Sequence, residues 1–504
     1  MSIPAPDGAA GAPPSPKRRK HIGIIDTTVR DGHQSLWATR MRNWAILGYV
    51  EQMDRMGFKR IELVGGAVFD VAVRYLKEDP WERIRLVRQK VRRTPLQLVE
   101  RGQSLFTFQV FPDDVVALTI RRAQANGIGQ LFTYDSLNDV QNLTTVVETA
   151  RAIGLPVSGM FVFSISPVHT DDYYVEVSKQ LVALGVDAVG IKDPSGLLTP
   201  ERTRTLVPAL RQAIGDVPLE VHSHALSGLA PQCLLEAADL GADDLYTCIS
   251  PLAHGYSHPP TEWVVHHLER RGFETGVDRA MLPDMAAYFT RVAEIERRPL
   301  GTPAEYDPAL FEHQIPGGMI TNLINQLREL GIAERLDDVL AEISRVRVDL
   351  GYPPMVSPVS QYVGTLAVLH VLQGERYKTI PLEVTSYALG LYGRPPGRIE
   401  PNLLDRLTRG KEPYGGRIGA RVPPLLDKVR AERGPFASDD DLLIACYYAP
   451  EVYNPLFEAR AQAGGRYEPP QPPLVSHLLR ELAKRPDLRH VQVQLGKLKV
   501  TASR

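Results

Sequence analysis

Short apolar segments alternate with longer amphipathic segments between residue 21 and about residue 270. The apolar segments recur roughly every 25 to 40 residues and read as buried strands, whereas the stretches between them have helical periodicity. There are eight of them: IGIIDTT (22–28), RIELVGG (60–66), LQLVERG (96–102), QLFTYDS (130–136), PVSGMFVFS (156–164), AVGIKDP (188–194), LEVHSHAL (219–226) and DDLYTCIS (243–250). Eight strand–helix units predict an α/β fold, a (β/α)8 TIM barrel. A doubly wound sheet is less favoured, because no glycine-rich phosphate loop follows the first strand.

One of the intervening stretches, LTPERTRTLVPALRQAIG, carries clear helix boundary signals. Thr199 is suited to cap the first turn, Pro200 fits the first helical position, and Gly215 is suited to end the helix. We therefore expect this helix to start at Pro200 and to stop before Gly215.

The pattern becomes mostly helical from about residue 300 to 460, with long stretches such as GGMITNLINQLRELG and SQYVGTLAVLHVLQG. RYEPPQPPL (466–474) predicts an extended linker, SHLLRELAKR a helix, and HVQVQLGKLKV a small hairpin. The predicted organisation is a disordered tail (1–20), a TIM barrel (21–300), an α-helical domain (301–465), and a Pro-rich linker with a small C-terminal helix and hairpin (466–504).

Composition narrows the function classes. The net charge of −1 gives no general affinity for nucleic acid, and the basic run Lys17–Lys20 reads as part of a solvated tail. Three scattered cysteines do not suit a disulfide framework, and no uncharged apolar run is long enough for a transmembrane helix. We expect a cytoplasmic protein without nucleic-acid binding or membrane insertion.

Polar residues stand at or just after the carboxyl ends of most predicted strands, where TIM barrels place their active sites. They are Asp31, Arg101, Asp135, Lys192, His222, His224 and Ser250. His222 and His224 are two apart and would face the same side of a strand, so both could reach one metal ion. By themselves the two residues are more typical of buried, hydrogen-bonded histidines, and further ligands are needed to indicate a metal site.

Lys192 is unusual at a barrel mouth, because an unpaired buried ammonium is costly and repels a cation. Two interpretations remain open from the residues. Lys192 could pair with its neighbour Asp193, or it could be carbamylated, which would turn the ammonium into an oxygen ligand.

Several motifs, taken in order, resemble the carboxyltransferase module of biotin-dependent enzymes. They are DTTVRDGHQSLWATR (26–40), ELVGGAVFDVAVRYLKEDPWERI (62–84), LVERGQ (98–103), GIKDPSG (190–196), VHSHALSG (221–228) and IPGGMITNL (315–323). That family includes pyruvate carboxylase, the oxaloacetate decarboxylase alpha subunit and the pyruvate-side subunit of methylmalonyl-CoA carboxytransferase. YPPMVSPVSQYVGTLAVLHVLQGERYKTI is similar to the helical domain that follows the barrel in this family.

The resemblance implies a metal-dependent transfer of a carboxyl group between carboxybiotin and a 2-oxo acid such as pyruvate or oxaloacetate, through an enolate. The implied ligands of a divalent metal (zinc, cobalt or manganese) are Asp31, carbamylated Lys192, His222 and His224. The implied catalytic residues are Arg101 and Gln34, which would hold the substrate and its enolate, and Thr321, which would carry a proton. The implied substrate and biotin pocket contains Arg30, Asp70, Phe108 and Gln361.

Other roles are possible for some of these residues. Thr321 could instead cap a helix beginning at Asn322. Asp26 is expected to be structural, and Cys248, placed within strand eight, is expected to lie in the core rather than to act as a catalytic acid. Phe108 stands where the family usually has a tyrosine, so the identity of the acceptor substrate is open.

No Met-Lys-Met biotin acceptor and no nucleotide-binding loop occur in the sequence. We therefore expect biotin to be supplied in trans by a separate biotin carboxyl carrier protein, and the resemblance implies a homodimer. The alternatives are a biotin-independent decarboxylase or lyase of the same barrel superfamily, and a non-catalytic subunit of a carboxylase complex.

Overall fold

The computed structural model describes residues 20–462, 490–495 and 498–503, together with 482, 485 and 487. Residues 1–19 of the predicted N-terminal tail, the Pro-rich linker and most of the helix expected after that linker lie outside the described residues.

Eight parallel strands close into a barrel in chain order, and β1 pairs with both β2 and β8. The strands are β1 Gly23–Asp26, β2 Arg60–Gly65, β3 Leu96–Glu100, β4 Gln130–Tyr134, β5 Val157–Val162, β6 Ala188–Asp193, β7 Leu219–Ser223 and β8 Asp244–Thr247. Each falls within one of the eight apolar segments. The predicted TIM barrel is therefore confirmed.

Helices follow every strand and surround the barrel. Those of the barrel region are α1 His33–Leu36, α2 Asn43–Leu47, α3 Val50–Met53, α4 Gly66–Val71, α5 Pro80–Lys90, α6 Asp113–Asn126, α7 Thr144–Ala152, α8 Asp171–Leu184, α9 Pro200–Ile214, α10 Ala230–Leu240, α11 Thr261–Arg270 and α12 Leu282–Glu296. Helix α9 begins and ends as expected, since the Thr199 hydroxyl accepts a hydrogen bond from the amide of Arg202 and Gly215 follows the last turn with a φ of +61°.

The floor of the barrel is filled by a buried ionic network. The Arg60 guanidinium lies 2.6 Å from Glu220 and 3.1 Å from Asp244, and it also donates to the hydroxyl of Ser158. Because these floor charges are paired with one another, they are poorly placed to bind a ligand. Near the carboxyl ends of the strands, Glu100, His222 and His258 have buried side-chain atoms without a hydrogen-bond partner among the described residues.

A second, mostly helical region follows the barrel. Its helices are α13 Ala309–His313, α14 Gly317–Glu329, α15 Leu336–Asp349, α16 Val359–Gln373, α17 Leu382–Ala388, α18 Pro401–Thr408, α19 Leu426–Arg433, α20 Asp439–Tyr447 and α21 Pro450–Gln462. Helices α14 to α18 share a separate apolar core that includes Leu327, Ile343 and Leu366. By contrast, Val429, Leu443 and Leu456 join the apolar core of the barrel, so the chain returns to the barrel with α19 to α21.

Two predictions about local structure differ in outcome. The alternating segment near the C-terminus forms strands β9 His490–Leu495 and β10 Leu498–Ser503, which pair antiparallel as expected for a hairpin. The idea that Thr321 caps a helix beginning at Asn322 is wrong, because α14 already begins at Gly317.

Within the described residues, no helix combines the length and apolar character needed to span a membrane.

Candidate active site

The carboxyl ends of β1, β6 and β7 bring together the residues that were expected to bind a metal. Asp31 lies in a single π-helical turn, Thr28–Gly32, directly after β1. His222 is on β7 and His224 follows that strand. Lys192 on β6 is in register with His222, so the two neighbouring residues face the same side of the sheet. All four side chains are buried.

Asp31 is the centre of this group. Its Oδ2 atom lies 3.2 Å from Nε2 of His222 and 3.4 Å from Nε2 of His224. A third imidazole, that of His258, has its Nε2 atom 3.3 Å from the same oxygen. The potential ligand atoms of these four residues all lie within 4.8 Å of one another. The site therefore contains one carboxylate and three imidazoles, close to Lys192.

His258 was not identified as a ligand from the sequence. It lies in the loop between β8 and α11, outside any strand, so the alternation that pointed to His222 and His224 does not apply to it. The available signal was its position after the last barrel strand, at the same end as the other groups. Tertiary folding of that loop brings it to Asp31.

The protonation states suit a divalent cation. Burial by itself would raise the pKa of Asp31, but Arg30, His224 and His222 hold it well below its usual range. Burial and the nearby Lys192 hold the pKa of His222 well below its usual range, and burial lowers that of His258 to about 3. An ionised carboxylate and neutral imidazoles are the forms that bind metals.

Neighbouring groups hold these side chains in place. Nδ1 of His224 lies 2.6 Å from the carbonyl oxygen of Tyr256. Because a carbonyl oxygen can only accept a hydrogen bond, Nδ1 is the donor, and Nε2 of His224 is left free to face Asp31. The hydroxyl of Ser35 donates to Oδ1 of Asp31 over 3.0 Å. Such outer contacts fix the tautomer and orientation of metal ligands.

Lys192 does not pair with Asp193, so that interpretation is wrong. The Asp193 carboxylate instead accepts hydrogen bonds from the amides of Leu197 and Leu198 and from the hydroxyl of Ser223. The two adjacent side chains point to opposite faces of β6. Lys192 points into the barrel.

Within the barrel, Nζ of Lys192 lies 5.0 Å from the ring centre of Tyr134 and 5.4 Å from that of Phe132. Burial lowers the pKa of Lys192 to about 8, against the opposing effect of Asp31. At one pH unit below this pKa about a tenth of the amine is neutral, far more than for an exposed lysine, and the neutral form is the one that can react with CO2.

Arg30 is held in a buried ion-pair network. Its Nη2 atom lies 2.7 Å from Glu62 and 3.0 Å from Asp31, and its Nε donates to Glu62. Despite Arg30, burial raises the pKa of Glu62 to about 7. Glu62 was not singled out from the sequence, because it lies in the middle of β2 in an otherwise apolar stretch. The predicted contact of Arg30 with substrate stays a prediction.

The residues expected to hold the 2-oxo acid follow β3 and β1, at the same end of the barrel as Asp31, His222 and His224. Arg101 follows β3, and its Nη2 donates to the carbonyl of Thr107 over 2.8 Å while its Nε is buried without a partner among the described residues. The guanidinium carbon lies 5.3 Å from the ring centre of Phe108, which is 45% exposed. Gln34, on α1, has a buried Oε1 atom that lacks a described partner.

The remaining pocket residues are distributed over three helices. Asp70 on α4 accepts from Nε of Arg74 over 2.7 Å. Gln361 on α16 lines a cleft of about 220 Å³ that also contains Leu323 and Ile343. Thr321 belongs to α14, but its side chain lies outside the described part of the structure. The roles of these residues toward substrate and biotin stay predictions.

Some polar strand ends have only local roles. Asp26 accepts from the amide and hydroxyl of Thr28. The carboxylate of Asp135 accepts from the amides of Leu137 and Asp139. Cys248 is fully buried, and burial holds its thiol pKa well above the usual range. Cys248 lies in the core as expected, although it stands one residue past the end of β8 rather than within it. The contacts of Asp26 with Thr28 agree with the structural role expected for it.

Comparisons with known proteins agree with this architecture. Residues 21–288 match the family described as HMGL-like, and residues 310–500 match the family described as Conserved carboxylase domain. The carboxyl transferase domain of Rhizobium etli pyruvate carboxylase, solved with pyruvate, superposes with a TM-score of 0.83 at 28% identity, covering 88% of this chain and 78% of that one.

Two curated relatives are similar over most of their length. A pyruvate carboxylase subunit of Methanocaldococcus jannaschii is 45% identical over 433 residues, which are 85% of this chain and 76% of that protein. The methylmalonyl-CoA carboxyltransferase 5S subunit of Propionibacterium freudenreichii is 34% identical over 450 residues, 88% of each chain. The chain therefore belongs to the carboxyltransferase family that contains this pyruvate carboxylase subunit and the transcarboxylase 5S subunit, and it is an enzyme of that class.

Proposed function

We propose that this carboxyltransferase depends on a divalent metal and moves a carboxyl group between carboxybiotin, carried by a separate protein, and a 2-oxo acid such as pyruvate or oxaloacetate. The observation that carries this proposal is the buried group of Asp31, His222 and His224 with Lys192 beside it. It lies at the end of the barrel where the active sites of this fold occur.

The chemistry of the donors fits a metal in this site. Asp31, His222, His224 and carbamylated Lys192 would hold zinc, cobalt or manganese, because two nitrogens and two oxygens suit any of these ions. When bound, the metal supplies a Lewis acid that stabilises negative charge on the substrate oxygens. Carbamylation gives Lys192 an oxygen donor and removes the repulsion between an ammonium and a cation.

Arg101 and Gln34 would position the substrate. A guanidinium matches a carboxylate geometrically, and the partnerless Nε of Arg101 leaves it capacity for another acceptor. A fixed positive charge next to the developing enolate is worth a few kcal/mol of transition-state stabilisation. The buried Oε1 of Gln34 is a further hydrogen-bonding group on the same side of the barrel.

Arg30, Asp70, Phe108 and Gln361 are proposed to line the surroundings of substrate and biotin, and Thr321 to transfer the proton. In the direction of pyruvate carboxylation, Thr321 would take the proton that the substrate methyl group loses and pass it to the biotin nitrogen from which the carboxyl group leaves as CO2, and the resulting enolate would form its new carbon–carbon bond to that CO2. A neutral hydroxyl can do this without placing a charge in a pocket from which water is excluded.

The test is oxaloacetate decarboxylation measured with and without free biotin, for the wild type and Thr321→Ala. We expect biotin to stimulate the wild type and to have little effect on Thr321→Ala. Biotin-dependent activity that survives fully in Thr321→Ala would exclude the proposed proton transfer. Equal wild-type rates with and without biotin would instead favour a biotin-independent decarboxylase.

The ligand assignment has its own test. Lys192→Ala should bind less metal per chain than the wild type when both are measured by elemental analysis after dialysis. Unchanged occupancy would contradict the assignment of Lys192. A homodimer, also proposed for this chain, can be checked by the molar mass in solution.

A further inference from the structure

The loop that carries His258 is tightly fixed to the end of β8. The amide of Cys248 donates to the carbonyl of Pro259 over 3.0 Å, and the amide of Thr261 donates back to the carbonyl of Cys248 over 2.8 Å. Within the loop, the amide of His254 donates to the carbonyl of His258 over 2.8 Å. The backbone of His258 is therefore held on both sides, and its ring position is set by the barrel itself.

The His258 ring is fully buried and directed at Asp31, His222 and His224. Its centre lies 4.3 Å from the ring of His222 and 4.4 Å from that of His224. Neither ring nitrogen makes a well-formed hydrogen bond to any described residue, although Nε2 is 3.3 Å from Oδ2 of Asp31. Buried polar atoms in native proteins normally have a partner, so an imidazole in this position needs one.

A role as a hydrogen-bonding support for Asp31 explains this position less well. Asp31 is already contacted by Arg30 at 3.0 Å and by the hydroxyl of Ser35 at 3.0 Å. Three imidazoles that point their Nε2 atoms at one carboxylate oxygen form a converging set of lone-pair donors. That arrangement is what a metal ion requires and what three separate hydrogen bonds do not.

We infer that His258 is a direct ligand of the metal, in addition to Asp31, His222, His224 and Lys192. This inference rests on the metal site of the proposed function and adds a third imidazole to it. The consequence is a nitrogen-rich site in which five side chains converge, more than the four positions of a tetrahedral zinc site. Fewer positions then remain for substrate oxygens.

The test counts imidazoles on the metal. Wild-type protein and His258→Gln are stripped of metal with a chelator, reloaded with Co(II), and examined by X-ray absorption spectroscopy, in which imidazole rings give a distinctive outer-shell signal. We expect three coordinated imidazoles in the wild type and two in His258→Gln, together with at least tenfold weaker Co(II) binding in the variant. Two imidazoles in the wild type would overturn the inference, even if His258→Gln failed to fold.

His254→Asn is the matched control. His254 lies in the same loop at a φ of +70°, a conformation that asparagine adopts readily, and it is not part of the metal-binding group. It should keep three imidazoles and wild-type Co(II) affinity. Weaker binding in His258→Gln without a change in imidazole count would assign His258 a positioning role and contradict direct ligation.

The imidazole count and the test of carboxyl transfer can give different answers, so a failure of one is distinguishable from a failure of the other. Biotin-dependent carboxyl transfer by an enzyme with two coordinated imidazoles would leave the function standing and remove His258 from the ligand set. Three coordinated imidazoles in a protein without carboxyl transfer would support His258 as a ligand and contradict the proposed function.

Discussion

Glu100 ends strand β3 and is completely buried, although it was not among the chemically interesting residues of the sequence. Burial raises the pKa of its carboxyl group from 4.5 to about 8, so the folded protein holds a proton that the unfolded chain releases near pH 4.5. Between pH 4.5 and about pH 8 the folded state binds more protons than the unfolded chain. The free energy of unfolding therefore falls as the pH rises, by up to about 1.4 kcal/mol per pH unit.

Glu100→Gln should remove this contribution. Urea unfolding at about pH 5 and at about pH 8 should show the variant gaining stability relative to the wild type as the pH increases, because the neutral amide never ionises. The exposed Glu148 provides a control, since Glu148→Gln should keep the pH dependence of the wild type. A constant difference between Glu100→Gln and wild type would show that Glu100 is ionised in the folded state.

Lys192 leads to a second prediction at the residue scale. Carbamylation consumes the neutral amine, and burial places the pKa of Lys192 at about 8. With ¹³C-labelled bicarbonate, the carbamate NMR signal should therefore increase as the pH is raised through about 8. Lys192→Met should abolish it. A wild-type protein without this signal, in the presence of metal and bicarbonate, would show that Lys192 is not carbamylated.

At the scale of elements, Asp440 is one of the buried carboxylates that join α19 to α21 to the barrel. Asp440 on α20 accepts hydrogen bonds from Arg85 on α5 at 2.7 Å and from Arg122 on α6 at 2.8 Å. Asp440 also accepts a hydrogen bond from the side-chain Nδ2 of Asn126 at 3.1 Å. Where α20 packs on α6, the hydroxyls of Tyr447 and Thr119 lie 2.6 Å apart. A single side chain thus connects three helices.

Asp440→Ala should destabilise the protein by about 1 to 3 kcal/mol, because it leaves two half-exposed guanidinium groups and the Asn126 side chain without their shared carboxylate, and solvent screens part of that loss. Asp439→Ala, at an exposed neighbouring position, should change stability by no more than about 0.5 kcal/mol. Unfolding measurements give both values, and limited proteolysis should show earlier cleavage between α18 and α21 in Asp440→Ala. Equal stability of the two variants would contradict this account.

At the scale of the whole molecule, the apolar core around the barrel is distinct from that of the region α14 to α18, and Asp31, His222, His224 and His258 all belong to the barrel. A metal at a concentration about 100 times its dissociation constant stabilises the state that binds it by about 2.7 kcal/mol. Adding Mn(II) or Co(II) to the metal-free protein should therefore raise the unfolding temperature of the barrel.

Differential scanning calorimetry can check this prediction. If the barrel and the region α14 to α18 unfold in separate transitions, only the barrel transition should move. His222→Ala should eliminate the shift and His254→Asn should retain it. A shift that persists in His222→Ala would place the bound metal elsewhere.

The architecture and part of the site follow from local sequence. Every barrel strand was recognisable because a strand buried on both faces is a short apolar run, and α9 because Thr199 and Gly215 mark its ends. His222 and His224 were recognisable because period-two alternation puts both on one face. Asp31 and Lys192 were recognisable because they stand at the carboxyl ends of predicted strands, and the motif resemblance added their expected roles as metal ligands.

Tertiary structure decided what depends on contacts between distant segments. The approach of His258 to Asp31, the pairing of Arg30 with Glu62, and the turning of Lys192 away from Asp193 each require residues that closure of the barrel brings together. The packing of α20 on α5 and α6 is likewise invisible in a helical pattern, because an amphipathic face does not name its partner. Sequence periodicity determines which side chains are buried, and only the folded chain determines which buried groups meet.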